Sequence, residues 1–148
     1  WRVGYACGPH EIIDAMMKVH QYAIMCASTT AQEAALEALR NGRRAMNEMR
    51  ESYRERRNLM VAGFNRIGLD CLMPKGAFYT FPSIASTGLS STEFAEELLR
   101  AERVAVVPGP AFGACGEGFV RCCYAASAED IIEAIERIGR FIDGLKRR

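Results

Sequence analysis

The stretch from Val106 to Ala125 reads Val-Val-Pro-Gly-Pro-Ala-Phe-Gly-Ala-Cys-Gly-Glu-Gly-Phe-Val-Arg-Cys-Cys-Tyr-Ala. It joins two apolar segments, Val104–Val107 and Phe119–Tyr124, which are predicted to be short strands, the first of them buried. The loop between them contains four glycines, which could let backbone N–H groups approach an anion. It lacks the G-x-G-x-x-G spacing of a dinucleotide site and the Gly-Lys-Ser/Thr of a P-loop. A tight connection between two strands is therefore the preferred interpretation.

Arg121 is the one charged residue inside the second apolar segment. An unpaired buried charge is very costly, so this arginine must find a partner or face a cleft. Its forked guanidinium suits a carboxylate held by two parallel hydrogen bonds. A surface strand arginine and an internal pair with a glutamate remain open alternatives.

The rest of the chain alternates between strand-like and helical patterns. Capping signatures pair Thr30 with Glu33, Ser90 with Glu93, and Ser127 with Asp130. Strands are predicted at 1–7 and 76–81, and helices at 10–27, from Thr30 to about 41, from about 43 to 67, after Ser90, and after Ser127. Alternation of this kind predicts an α/β or α+β sandwich.

Composition excludes several classes of protein. The chain has 148 residues and a net charge of +1, with 49% hydrophobic and 25% charged residues. These values are ordinary for one globular domain and give no general attraction to nucleic acid or membrane. No apolar run approaches the roughly 20 residues of a membrane span. The chain opens on Trp1 without a methionine or signal peptide, which suggests a piece of something longer.

The six cysteines do not indicate a metal site. None forms a C-x-x-C pair, and neither histidine lies at zinc-finger spacing. Buried, reduced thiols in a cytoplasmic protein are expected. Cys122 and Cys123 are neighbours in a strand, so their side chains should point to opposite faces.

The predicted helix from about Arg43 to Ile67 is rich in arginine. Its local excess of three positive charges could contact phosphates. Acidic residues alternate with the arginines, however, and Tyr53 is the only interleaved aromatic residue. A solvated helix face is therefore favoured over nucleic-acid binding.

Three motifs together resemble one family. Trp1-Arg2-Val3-Gly4-Tyr5 resembles the end of the motif S-K-x-x-x-M-T-G-W-R-x-G-Y of fold-type-I, class I/II pyridoxal-phosphate aminotransferases, the aspartate aminotransferase-like family. Pro74–Tyr79 resembles their P-x-G-A-F-Y strand. The segment 106–125 resembles their V-x-P-G-x-x-F-G-x-x-G-E-G-x-x-R-x-x-Y-A signature. The matches occur in the family's order and extend along the whole chain.

The resemblance implies roles for four residues. Arg2, which taken alone could equally be an exposed terminal residue, matches the arginine that binds the cofactor phosphate. Arg121 matches the arginine that binds the substrate α-carboxylate. Phe112 and Tyr79 match positions near the substrate entrance.

The resemblance also implies what the chain lacks. The Schiff-base lysine of the family belongs just upstream of Trp1, and the chain's own lysines, Lys18, Lys75 and Lys146, do not stand in the motif. No catalytic residue and no metal ligand is therefore assigned. A fragment inactive by itself is expected, cut from a cytoplasmic, homodimeric enzyme that uses pyridoxal 5'-phosphate to move an amino group from an amino acid to a 2-oxo acid.

The implied organisation is a remnant of the large cofactor-binding domain at 1–42, a long connecting helix at 43–68, and a small C-terminal α/β domain at 69–148. The isolated fragment is expected to self-associate, since segment 1–27 would need cover for its apolar side chains. The alternative is a non-enzymatic α/β binding or interaction module that keeps the small-domain fold. An S-K-x-x-x-M-T-G sequence encoded directly upstream of Trp1 would decide for the enzyme.

Overall fold

The computed structural model describes residues 1–147. These residues form a mixed α/β structure, as predicted, with helices and one small sheet. The α-helices are α1 (His10–Ala23), α2 (Thr29–Asn41), α3 (Arg43–Arg66), α4 (Ser91–Glu102) and α5 (Ala128–Leu145), and the strands are β1 (Tyr79–Thr80), β2 (Val107–Pro108) and β3 (Val120–Cys123). The chain divides into two compact units, Trp1–Met49 and the residues from Arg50 onward.

The first unit contains α1 and α2 and buries little. Ala31 is its one buried residue within the described chain. The strand predicted at 1–7 is wrong, because these residues have no regular structure and no described strand pairs with them. The predicted Thr30–Glu33 capping box is also wrong: α2 begins at Thr29, and its N-cap Ser28 makes no side-chain cap hydrogen bond.

Helix α3 is the long helix that the sequence predicts. Its 24 residues extend over about 36 Å, and Gly68 lies just beyond its end with a positive φ of 83°. Ion pairs between exposed side chains, such as Arg44–Glu48 at 2.8 Å and Arg54–Glu51 at 3.0 Å, support the solvated-face interpretation. Pairs of this kind add little to stability.

The second unit is built on a three-stranded antiparallel sheet in the order β1-β3-β2. All three strands are shorter than predicted. Ala77 has a positive φ of 60°, which keeps the residues before Tyr79 out of extended geometry. Proline lacks a backbone N–H, so Pro82 cannot donate the hydrogen bond that would continue β1. After Pro108 the chain enters a 3-10 turn at Gly109–Phe112.

Helices cover the inner face of this sheet and form the core with it. The buried face of α5 consists of Ile131, Ile135, Ile138, Phe141 and Ile142. Helix α3 approaches α5 so closely that a Cβ on Gly63 would lie 2.9 Å from Ile135 Cγ1. Close packing of this kind excludes even one extra methyl group without a shift.

Two of the three predicted caps are confirmed. Ser90 and Glu93 form a reciprocal capping box at the start of α4. The Ser127 hydroxyl accepts a hydrogen bond from the Asp130 N–H at the start of α5. Each cap satisfies backbone donors that a helix leaves unpaired at its N-terminus.

The cysteine prediction is only partly right. Cys71 and Cys122 are buried, whereas Cys7, Cys26, Cys115 and Cys123 are exposed, and all six are free thiols. Cys122 and Cys123 do point to opposite faces of β3, as the strand alternation requires.

Candidate functional site

The outer face of the sheet carries three of the polar and aromatic side chains of the second unit. In the antiparallel register Tyr79 pairs with Cys123, and Val107 pairs with Arg121. Because side chains alternate along a strand, Tyr79, Arg121 and Cys123 share one face, while Val120 and Cys122 enter the core. Tyr79 is thus the diagonal neighbour of Arg121.

Two aromatic rings contact the half-buried guanidinium of Arg121. Its central carbon, Cζ, lies 4.3 Å from the ring centroid of Tyr79 and 4.2 Å from that of Phe112. These distances are within the range of cation–π attraction. The structure therefore brings together three of the four predicted site residues.

The guanidinium has no acidic partner in the part of the chain that the structure describes. The ion pairs there involve other arginines, and no described carboxylate or carbonyl accepts a hydrogen bond from Arg121. The alternative of an internal pair with a glutamate is thus excluded within residues 1–147. The hydrogen-bond donors of Arg121 stay available for an external acceptor.

The two rings are themselves held by other aromatic side chains. Tyr79 contacts Phe78, with ring centroids 4.6 Å apart. Phe112 makes an edge contact with Phe81 at 6.1 Å, and Phe81 stacks on Phe119 at 5.7 Å. Phe81 and Phe119 therefore brace the Phe112 side of the arginine, and Phe78 braces the Tyr79 side.

The glycine-rich loop places Phe112 beside the sheet. A Cβ on Gly109 would lie 1.9 Å from the Gly116 carbonyl oxygen, and a Cβ on Gly116 would lie 2.2 Å from that of Gly109. Only glycine permits two backbone segments to approach so closely. The loop folds back on itself at this contact.

The N–H groups of this loop are largely occupied within the protein. Gly109 donates to the Phe119 carbonyl at 2.9 Å, and Gly116 donates to that of Gly113 at 2.9 Å. Gly118 donates to the Ser91 hydroxyl at 2.9 Å. The tight-connection interpretation is therefore confirmed in preference to an anion cradle.

Glu117 has a structural role that the sequence did not indicate. Its Oε1 accepts a hydrogen bond of 2.8 Å from the Ser91 N–H, in the first turn of α4. Ser91 in turn accepts from Gly118, as described above, so the loop and the helix are linked in both directions. A carboxylate at a helix N-terminus also interacts favourably with the helix dipole. The signal was present in the motif, but the spacing of 26 residues hid the pairing.

Tyr124 anchors the segment that precedes Tyr79. Its hydroxyl donates to the Ala77 carbonyl at 2.8 Å, and its N–H donates to the Phe78 carbonyl at 3.0 Å. Burial raises the pKa of this phenol, while the nearby Arg57 charge acts in the opposite direction. The hydroxyl therefore stays protonated and keeps donating at neutral pH.

Arg2 lies in the first unit, whereas Tyr79, Phe112 and Arg121 lie in the second. It is exposed, has a positive φ of 57°, and lines a cleft of about 970 Å³. Apolar side chains such as Met17 and Leu39 form most of the cleft lining, with His20 and Gln32 as further polar groups. Arg2 suits one contact to a phosphate, but no lysine lies among the described lining residues. A guanidinium can contact a phosphate, whereas covalent attachment of pyridoxal phosphate would need a lysine, which these lining residues do not include.

The family model described as aminotransferase class I and II matches residues 1–138. The chain belongs to the class I and II aminotransferases. This confirms the resemblance inferred from the three motifs. Within residues 1–147, no helix is long and apolar enough to cross a membrane, and no group of three or more His, Cys, Asp or Glu side chains could hold a metal ion.

Individual relatives agree with the family. The protein YugH of Bacillus subtilis (strain 168) is 57% identical over 96% of the chain. An aspartate aminotransferase of Pyrococcus horikoshii is 45% identical over 99% of the chain. The crystal structure of an aromatic aminotransferase from Pyrococcus horikoshii OT3 superimposes with a TM-score of 0.89 at 46% identity, over 99% of the chain and 40% of that structure. The chain spans 37–38% of the length of these two curated relatives.

Proposed function

We propose that this chain is the C-terminal part of a pyridoxal-phosphate aminotransferase and that Arg121 binds the α-carboxylate of its amino-acid and 2-oxo-acid substrates. The observation that carries the proposal is a half-buried guanidinium with two aromatic contacts and no acidic partner within residues 1–147. Paired hydrogen bonds from a fixed arginine orient a carboxylate, and orientation of the reacting carbon contributes strongly to catalysis.

Two further contacts belong to the same proposal. Phe112 is half-exposed and lies with Tyr79 beside the arginine, so both border the bound substrate. Arg2 binds the cofactor phosphate. The cofactor supplies the electron sink for chemistry at the substrate Cα, whereas the residues of this chain contribute binding and orientation.

The proposal predicts a large and specific effect of Arg121→Gln in the full-length protein that carries this chain. Loss of a charge-assisted carboxylate contact should lower kcat/KM for transamination by about 30- to 1000-fold. Steady-state kinetics with several amino-acid and 2-oxo-acid pairs measure the effect. It should appear with every substrate, since all of them carry the carboxylate.

Arg100→Gln provides the matched control. Arg100 is exposed and, within residues 1–147, forms its ion pair with Glu96, at 2.9 Å on α4, so its loss should change kcat/KM by less than about twofold. A less than threefold effect of Arg121→Gln would contradict the assignment of the carboxylate contact.

The chain without its preceding residues should be inactive, because the lysine that holds the cofactor is absent from its motifs. The test mixes the 148-residue chain with pyridoxal phosphate and an amino acid. A substrate-dependent change in the visible absorbance of the cofactor beyond that of the same mixture without the chain would overturn this part of the proposal.

We also propose that the full-length protein is a cytoplasmic homodimer. The six thiols of this chain are free, which suits a reducing compartment. The first unit exposes large apolar side chains that need cover, including Tyr22 at 88% and Met25 at 80% exposure. We also propose that the large-domain remnant ends at residue 42, that the connecting helix ends at residue 68, and that the small domain follows. Light scattering of the full-length protein that shows a monomer at high concentration would count against self-association.

A further inference from the structure

The contacts around Arg121 point to a role for aromatic rings that the family resemblance does not assign. Tyr79 and Phe112 each lie within cation–π distance of the guanidinium carbon, at 4.3 and 4.2 Å. We propose that these rings are positioning residues, which hold the guanidinium by its faces so that its in-plane donors stay free for a carboxylate. This inference rests on the proposed function of Arg121.

The physical basis lies in the geometry of the guanidinium group. Its N–H donors radiate in the plane of the group, whereas a ring that stacks on the guanidinium contacts it from above or below this plane. A neighbouring glutamate would also hold the arginine, but it would occupy the donors and neutralise the charge. Any substrate would then have to displace it. Aromatic contacts stabilise the cation without competing for the sites at which the substrate binds.

The surroundings of the two rings support a fixed position for them. Tyr79 belongs to β1, and its ring contacts Phe78 at 4.6 Å. Phe112 ends a 3-10 turn whose base is the close Gly109–Gly116 contact, and its ring meets Phe81. Because the rings come from a strand and from a braced loop, the arginine is held from two separate parts of the fold. A binding group fixed before its ligand arrives avoids part of the entropic cost of binding.

The test measures how strongly the full-length protein prefers a carboxylate over a matched neutral amide. Butanoate and butanamide have nearly the same shape and differ in charge, so the ratio of their dissociation constants isolates the arginine contact. Isothermal titration calorimetry of the protein with each compound gives this ratio without relying on turnover.

Phe112→Leu and Tyr79→Leu should each lower the carboxylate preference by about 2- to 13-fold, because binding must then also immobilise the arginine side chain. Tyr79→Phe keeps the ring and should stay within about twofold of the parent protein. A merely structural role would not produce this dependence on the ring. Preserved preference in both leucine variants would overturn the inference.

Fluorinated phenylalanine at position 112 provides a second variant series that keeps the shape of the side chain. Each added fluorine withdraws electrons from the ring face and weakens its attraction for a cation. The carboxylate preference should fall stepwise from phenylalanine through mono-, di- and trifluorinated rings. A flat series would contradict the inference even if Phe112→Leu fails to fold.

Arg121→Gln separates the two levels of the proposal. With glutamine at position 121 the preference should be close to one, and Phe112→Leu in that background should change it no further. If Arg121→Gln itself leaves the preference intact, the carboxylate contact is wrong. If Arg121→Gln abolishes the preference but the ring variants do not alter it, only the positioning role is wrong.

Discussion

At the scale of single residues, Glu117 carries the clearest stability prediction. Its carboxylate accepts the Ser91 N–H at 2.8 Å, and Ser91 is fully buried. Glu117→Ala leaves this donor without its partner and should lower the free energy of unfolding by about 1–2 kcal/mol. Urea denaturation of the 148-residue chain measures the change.

Two substitutions serve as controls for Glu117→Ala. Glu117→Gln keeps an acceptor oxygen in place and should recover most of the lost stability. Glu96→Ala removes an exposed partner of Arg100 on the same helix and should cost less than about 0.5 kcal/mol. Equal losses for Glu96→Ala and Glu117→Ala would show that the Ser91 contact contributes nothing special.

At the scale of elements, the glycine-rich loop depends on one close backbone contact. Gly109→Ala would place a Cβ 1.9 Å from the Gly116 carbonyl oxygen, so the loop must move. The substitution should cost about 3 kcal/mol or more. Since the loop carries Phe112, we also expect a weaker carboxylate preference at Arg121. Urea denaturation and the butanoate titration measure the two effects.

Other glycines separate this clash from the ordinary effects of glycine replacement. Gly118 has a φ of 81° with open space around its Cβ position, so Gly118→Ala should cost only about 1–2 kcal/mol of backbone strain. Gly144 lies in α5 with nothing within 4 Å, and Gly144→Ala should be neutral or stabilising by up to about 1 kcal/mol. A Gly109→Ala protein as stable as Gly118→Ala would disprove the close contact.

The helices and strands also show which features can be predicted from residues that are close together in the sequence. The caps at Ser90 and Ser127 could be predicted because a cap involves residues only three apart, although the same spacing at Thr30 and Glu33 gave a wrong prediction. The strands were predicted too long because a hydrophobic pattern is blind to the positive φ of Ala77 and does not show that only Val107 and Pro108 of their segment pair with β3. The strand predicted at the N-terminus fails because Arg2 has a positive φ of 57° and because no described strand pairs with residues 1–7.

The candidate site likewise combines residues that the sequence identifies with contacts that the sequence does not predict. The motifs identified Arg121, Phe112 and Tyr79 by their resemblance to a family, and the alternation along β3 explains why Arg121 faces outward. Their mutual contacts depend on the register between β1 and β3 and on the crossing of Gly109 with Gly116. Pairings between residues far apart in the sequence, such as Tyr79 with Cys123, have no local signal, and the Glu117–Ser91 link over 26 residues escaped prediction for the same reason.

At the scale of the whole molecule, the two units differ in how much they bury. The first unit buries Ala31 alone in the described chain, whereas the second has a continuous core that includes Phe64, Phe94 and Ile131. Stability of a region follows the apolar surface it removes from water. The second unit therefore supplies the cooperative core, and its opening sets the rate at which buried groups meet solvent.

The four cysteines of the second unit can report that opening. Cys115 and Cys123 are exposed, while Cys71 and Cys122 are buried, and burial raises the pKa of both buried thiols. The thiolate is the reactive form, so a raised pKa and lack of access both slow the alkylation of the buried thiols. At pH 8 we expect Cys115 and Cys123 to react with iodoacetamide at least about 1000-fold faster than the buried pair, whose reaction requires opening of the core.

Mass spectrometry of peptides after timed alkylation measures the four rates, and urea should abolish the difference. Rapid native labelling of Cys122 would mean that β3 is not a buried central strand, and the arrangement of Arg121 with its two rings would then lose its support.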